Sequence, residues 1–106
     1  MIKAVIIDDE QHCIDRLTYL IDNYCSDEII VTSNATDINE GFEAIKALSP
    51  QLVFLDIQIH RQTWFDLLKR YIFIPFYVVF TTVYEKFAIQ GCKFSGVDDL
   101  LRPIVP

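Results

Sequence analysis

Apolar residues in this chain come in two patterns. Short unbroken runs (Ala4-Val5-Ile6-Ile7, Ile29-Ile30-Val31, Leu52-Val53-Phe54-Leu55 and Phe76-Tyr77-Val78-Val79-Phe80) alternate with stretches where apolar positions recur every three or four residues. Runs of this length, rich in Val, Ile and Phe, predict strands buried on both faces. The predicted strands span Lys3–Ile7, Ile29–Ser33, the stretch around Leu52–Leu55, and Phe76–Phe80. Between the first two, Ile14, Leu17, Leu20 or Ile21, and Tyr24 mark one face of a helix from about Glu10 to Tyr24. Asp37 followed by Glu40 is an N-cap with its N3 partner, opening a second helix on Ile38, Phe42, Ile45 and Leu48. Ser49-Pro50 ends it, because proline disfavours helical geometry in the preceding residue. Ile59–Thr63 is predicted as a polar loop. Trp64 to about Tyr71 is a short helix, with Phe65, Leu67 and Leu68 apolar. A further helix, Tyr84 to Lys93, and a short strand within Gly96–Leu101 complete the pattern. Strand and helix alternate throughout, which predicts an α/β domain with a parallel sheet and helices on both its faces.

The central run, Leu52-Val53-Phe54-Leu55, leads straight into Asp56. A carboxylate fits badly inside a doubly buried strand and well at its end. In open parallel sheets, ligands bind beyond the carboxyl ends of the strands. The first run likewise ends in Asp8-Asp9-Glu10. In the sheet order 2-1-3-4-5, the first and third strands are neighbours at the point where the connections diverge. Asp8, Asp9 and Asp56 should then converge within a few ångströms. Crowded carboxylates raise one another's pKa unless a cation joins them, and an all-oxygen set suits Mg²⁺. Asp8 and Asp9 would equally suit the start of the first helix through capping and its dipole, and Asp56 could be an ordinary strand-end carboxylate.

Composition narrows the choice. The 106 residues make one domain, and 52% apolar content excludes disorder. No window is apolar enough for a membrane span, and the N-terminus has no signal-peptide pattern. A net charge of −6 argues against direct nucleic-acid binding by this chain. Cys13, Cys25 and Cys92 are odd in number, widely spaced and match no zinc pattern. They suggest thiols without a chemical role in a reducing, cytoplasmic setting. His12 and His60 are read as surface and loop residues, and His60 has no second ligand at metal spacing.

Taken together, Ile6-Ile7-Asp8-Asp9-Glu10, Val53-Phe54-Leu55-Asp56-Ile57-Gln58, Phe80-Thr81-Thr82 and Leu100-Leu101-Arg102-Pro103 resemble the response-regulator receiver domain of bacterial two-component signalling. The stretch from Phe80 to Ile89 is most similar to the branch joined to LytTR-type DNA-binding domains. The resemblance covers the whole chain and implies a flavodoxin-like, doubly wound five-stranded sheet. It implies that Asp56 is the phosphoacceptor, charged by a sensor histidine kinase. Asp8 and Asp9, with the backbone carbonyl of Gln58 and Asp56 itself, would hold Mg²⁺. Thr82 would be the switch hydroxyl that meets the phosphoryl group. The output would be a separate domain controlling transcription.

The sequence departs from that family at several positions. Arg102 stands where the family has lysine, exchanging a point charge for a planar fork that still pairs with phosphate. Pro103 is retained, and the family's bond before it is typically cis. Asp99 occupies the second switch position, where the family has an aromatic residue; a charged side chain does not readily enter an apolar pocket. Trp64 replaces a glycine after the phosphorylation loop, where a positive φ would be costly. It is expected either to reshape or cover the loop beside Asp56, or to pack on its helix as core or rim. The chain stops just after Pro103, so the family's fifth helix is expected to be missing. That reading makes residues 1–106 a truncated receiver with a partly uncovered apolar face, expected to dimerise, swap an element or be marginally stable.

The main alternative is a pseudo-receiver that binds a protein partner without phosphorylation. A hydrolase with an aspartate nucleophile would want a general acid two residues later, where Gln58 stands. A flavodoxin-like redox protein would want a phosphate-cradling loop after the first strand, and none is visible.

Overall fold

The computed structural model describes residues 1–59 and 61–81, with Gln58 described by its backbone alone. The elements are β1 (Ile2–Ile7), α1 (Gln11–Tyr24), β2 (Ile29–Ala35), α2 (Ile38–Leu48), β3 (Leu52–Leu55), β4 (Gln58–Ile59), β5 (Gln62–Thr63), α3 (Trp64–Leu68) and β6 (Tyr77–Phe80). The main sheet runs β2-β1-β3-β6 and every pairing in it is parallel. This matches the first four strands of the predicted order. The expected later helix, fifth strand and missing fifth helix lie outside the described residues.

The sheet is buried on both faces because its central strands alternate strictly. Ala4 and Ile6 of β1, with Leu52 and Phe54 of β3, pack against Ile14, Leu17 and Ile21 of α1. Val5 and Ile7, with Val53 and Leu55, face Ile38 and Ile45 of α2 and Leu67 of α3. Each face therefore needs its own helical layer, as a doubly wound sheet requires. Cys25, buried beside α1, donates its backbone N–H to Ile21 at 2.8 Å and closes that helix.

Local rules set most of the boundaries. Asp37 caps α2 by accepting the Glu40 backbone N–H at 2.8 Å, a bond that contributes about 1 kcal/mol in comparable caps. At the other end Ser49 adopts φ 46°, a left-handed cap before Pro50. β2 runs longer than expected, to Ala35. Its pairing with β1 slips between Ala4 and Val5, and Thr32, in the skipped position, donates its hydroxyl to the Ala4 carbonyl at 3.1 Å.

Two expectations fail beyond β3. The predicted polar loop Ile59–Thr63 contains the antiparallel pair β4/β5, with Gln58 opposite Thr63 and Ile59 opposite Gln62. Ile59 is fully buried, so one apolar side chain anchors the hairpin in the α2/α3 core. The third helix ends at Leu68 rather than near Tyr71. Arg70 and Tyr71 bond back only three residues, to Leu67 and Leu68, and the chain turns away.

α2 lies close on β1 at Gly41. A Cβ built there would sit 2.5 Å from Ile7 Cδ1 and 3.0 Å from its Cγ1. Gly41→Ala therefore gains helix propensity of about 1 kcal/mol but overpacks the core at a cost of about 1–3 kcal/mol. Urea unfolding should show Gly41→Ala as neutral to destabilising in the parent chain. In an Ile7→Val background, which removes the clashing Cδ1, the same substitution should stabilise, with a coupling of about 1 kcal/mol between the two sites.

Candidate functional site

The pairing of β1 with β3 sets the site. Ile7 is the register partner of Leu55. The next residue on each strand is an aspartate, so Asp8 and Asp56 leave the sheet side by side. The Asp56 backbone N–H donates to the Ile7 carbonyl at 3.0 Å, and the Asp8 N–H to the Ala35 carbonyl of β2 at 3.1 Å. Backbone hydrogen bonds thus hold both carboxylate-bearing residues to neighbouring strands. Asp9 follows on the turn into α1. Asp8 is buried, while Asp9 and Asp56 are half-buried. One carboxylate oxygen from each of the three lies within 4.8 Å of those from the other two. The convergence expected from the sequence is present.

Asp8 has a second task. Its Oδ1 accepts the Glu10 backbone N–H at 3.0 Å, bridging the turn from strand to helix. The helix N-cap itself is Glu10, with no side-chain cap bond, and the first turn of α1 carries no acidic residue. Capping alone therefore does not account for the cluster. Burial pushes the Asp8 carboxyl above its ordinary pKa, and the charges of Asp56, Asp9 and Glu10 push the same way. The Glu10 N–H bond opposes them without cancelling them. Three carboxylates so close, one of them buried, make an all-oxygen donor set that a hard divalent cation fits and a soft one does not.

The neighbouring wall is aromatic. Trp64 opens α3, and its backbone N–H donates to the Ile57 carbonyl, one residue past Asp56, at 3.1 Å. Among the described residues only Ser49 has a positive φ, so Trp64 does not adopt the glycine-type conformation. Its ring meets Phe80 edge-on at 6.0 Å and Phe65 at 5.8 Å. This is packing on the rim of α3, and the tie to Ile57 is through backbone. The start of α3 is fixed by Thr63 and Asp66, a pair not among the residues expected to matter. The Thr63 N–H donates to Asp66 at 2.7 Å, and Lys69 pairs with the same carboxylate at 3.1 Å. The Thr63-x-x-Asp66 spacing was the available signal. The Thr63 bond, with Lys69, holds the Asp66 carboxyl below its ordinary pKa.

Gln58 lies in β4, two residues beyond Asp56. Thr81 is buried where β6 ends. Thr82, Asp99, Arg102, Pro103 and His60 lie outside the described residues.

The raised Asp8 carboxyl has a defined effect on stability. The folded chain holds that proton more tightly than the unfolded chain. Stability from this group is therefore present below the unfolded pKa and lost as pH rises through the raised folded one. In the absence of divalent cation, Asp8→Asn should flatten this fall in thermal-midpoint-against-pH scans and melt higher than the parent at neutral pH. The asparagine oxygen still accepts the Glu10 N–H.

No protein-family model matches the chain. Curated relatives do. The chain is 37% identical over its whole length to an uncharacterised response regulatory protein of Vibrio parahaemolyticus, covering 43% of that protein. It is 29% identical to the sensory transduction protein LytT of Bacillus cereus, over 97% of this chain and 42% of the other. It is 31% identical to the transcriptional regulatory protein BtsR of Salmonella typhi, over 98% and 43%. The chain thus spans less than half the length of these relatives. Among solved structures, the signal receiver domain of the response regulator NarL from Mycobacterium tuberculosis superposes with a TM-score of 0.64 at 21% identity, over 85% of this chain and 77% of that one. A DNA-binding response regulator of the LuxR family from Staphylococcus aureus gives the same TM-score at 16% identity, over 85% and 80%. In sequence the chain is similar to response regulators, and its fold is that of their receiver domains.

Proposed function

We propose that this chain accepts a phosphoryl group on Asp56 and relays that event to an output domain. The observation that carries the reading is the convergence of Asp8, Asp9 and Asp56 at the ends of adjacent parallel strands. An oxygen of the Asp56 carboxylate attacks the phosphorus of a phosphohistidine on a sensor kinase. The P–O bond forms as the P–N bond breaks, and the imidazole leaves with the electron pair. Asp56 can attack because it is half-buried at a strand end rather than enclosed. Its backbone is fixed to Ile7, so little freedom is lost on reaching the phosphorus.

Asp8, Asp9 and Asp56, with the Gln58 backbone carbonyl, are the residues that would hold Mg²⁺. When bound, the ion neutralises charge on the carboxylates and on the incoming phosphoryl group. Asp8 is the buried member, and its bond from the Glu10 N–H fixes which way one oxygen faces. Thr82 and Arg102 are assigned to phosphate contact and Asp99 to the second switch position, on the resemblance alone. Arg102 keeps the positive charge in a different shape. Residues 1–106 form the receiver portion, and the partners are a histidine kinase and a LytTR-type DNA-binding output domain. The location that goes with such partners is the cytoplasm, and a homodimer is one route to output. Receivers of this kind are phosphoacceptors and are generally not turnover enzymes. No helix among the described residues is long and apolar enough to cross a membrane.

The test is intact-mass analysis after incubation with acetyl phosphate. The expected result is a gain of one phosphoryl group that requires Mg²⁺, is absent in Asp56→Ala, and falls by on the order of 100-fold in rate in Asp8→Asn. No adduct on a folded sample would overturn the reading in favour of a phosphorylation-independent binding module.

A further inference from the structure

A second cluster of ligating side chains lies on the outer shoulder of the turn into α1, separate from the three aspartates. Glu10, His12 and Cys13 each present one donor atom, and the three atoms lie within 4.8 Å of one another. The sequence carries no zinc pattern there, because Cys13 has no cysteine partner at ligand spacing. The helix start supplies what the spacing hid. Glu10 is the N-cap, and α1 begins at Gln11. The Glu10 side chain folds back over the first turn. Its Oε2 accepts from Cys13 Sγ at 3.5 Å and lies 3.7 Å from His12 Nε2. Both contacts converge on the same carboxylate oxygen.

These separations carry chemical meaning. Metal–ligand bonds of about 2.0–2.3 Å arranged tetrahedrally put neighbouring donor atoms roughly 3.3–3.8 Å apart. The Glu10–Cys13 distance falls on such an edge, and the Glu10–His12 distance is slightly longer than the oxygen–nitrogen edge. The donors are a thiol, an imidazole and a carboxylate, so they match zinc, cobalt or nickel rather than magnesium. Glu10 and His12 are exposed and Cys13 is half-buried, which leaves room for water as a fourth ligand.

We infer that Glu10, His12 and Cys13 form a binding site for a borderline-soft divalent cation such as Zn²⁺, distinct from the hard-cation cluster of Asp8, Asp9 and Asp56. Binding replaces the Cys13 S–H bond with a metal–thiolate bond, and the proton passes to solvent. His12 binds as neutral imidazole, and the displaced metal-bound waters return to bulk. The inner and outer sites meet at Glu10, whose backbone N–H holds Asp8 Oδ1 while its carboxylate serves the outer ion. The site stands whether or not Asp56 is phosphorylated.

The test is a Co²⁺ titration of the whole chain in excess Mg²⁺, which keeps the all-oxygen cluster from contributing. The expected result is a sulfur-to-cobalt charge-transfer band that saturates at one equivalent and is bleached by Zn²⁺. Cys13→Ser should abolish the band. His12→Ala should weaken binding by on the order of ten-fold or more. Because His12 is exposed and serine nearly matches cysteine in shape at half-buried Cys13, circular dichroism should show both variants folded. No band, a band that survives Cys13→Ser, or equal affinity in His12→Ala would each overturn the site.

Discussion

The structure depends on the parallel register of β1 against β3. Ile7 opposite Leu55 is a pairing of two fully buried residues, and the Asp56 N–H to Ile7 carbonyl bond extends it by one step. A slip of one residue would turn every core side chain of β3 to the wrong helical layer. It would also draw Asp56 out of line with Asp8. The core and the acidic cluster are therefore fixed by one constraint, and the site cannot be lost by a register error without the fold failing too.

That coupling explains how so unfavourable a grouping persists. Burial and three neighbouring negative charges oppose ionisation of Asp8. Among the described residues, nothing local to the cluster favours it except the Glu10 N–H. The opposing energy comes from the apolar layers on both sides of the sheet, where Ala4 to Ile7 and Leu52 to Leu55 are fully buried. A strained polar site held by a well-packed scaffold is the arrangement expected where function competes with stability.

The region after Asp56 follows a different logic. Ile59 anchors the β4/β5 hairpin in the core, Asp66 fixes the start of α3, and the Trp64 backbone ties that helix to Ile57. The departure from glycine at Trp64 is accommodated by making it the first residue of a helix, with ordinary φ and its ring on Phe65 and Phe80. An apolar groove opens beside this rim, lined by Trp64, Phe65, Ile74, Tyr77 and Phe80.

The sequence by itself determined the order of the four strands of the main sheet and the three helices between them, the two-sided burial of those strands, the Asp37 cap and the Ser49-Pro50 stop. These follow from periodicity and from backbone rules that act over a few residues. The sequence also pointed to Asp8, Asp9 and Asp56, because an acid after a doubly buried strand has only the sheet's edge to go to. Tertiary structure decided the rest. The β4/β5 hairpin was hidden because its two-residue strands are too short for a period, and only the burial of Ile59 reveals it. The early end of α3 depends on where the chain must turn toward β6. The meeting of Glu10, His12 and Cys13 depends on a side chain folding back over a helix start, which spacing along the chain does not encode.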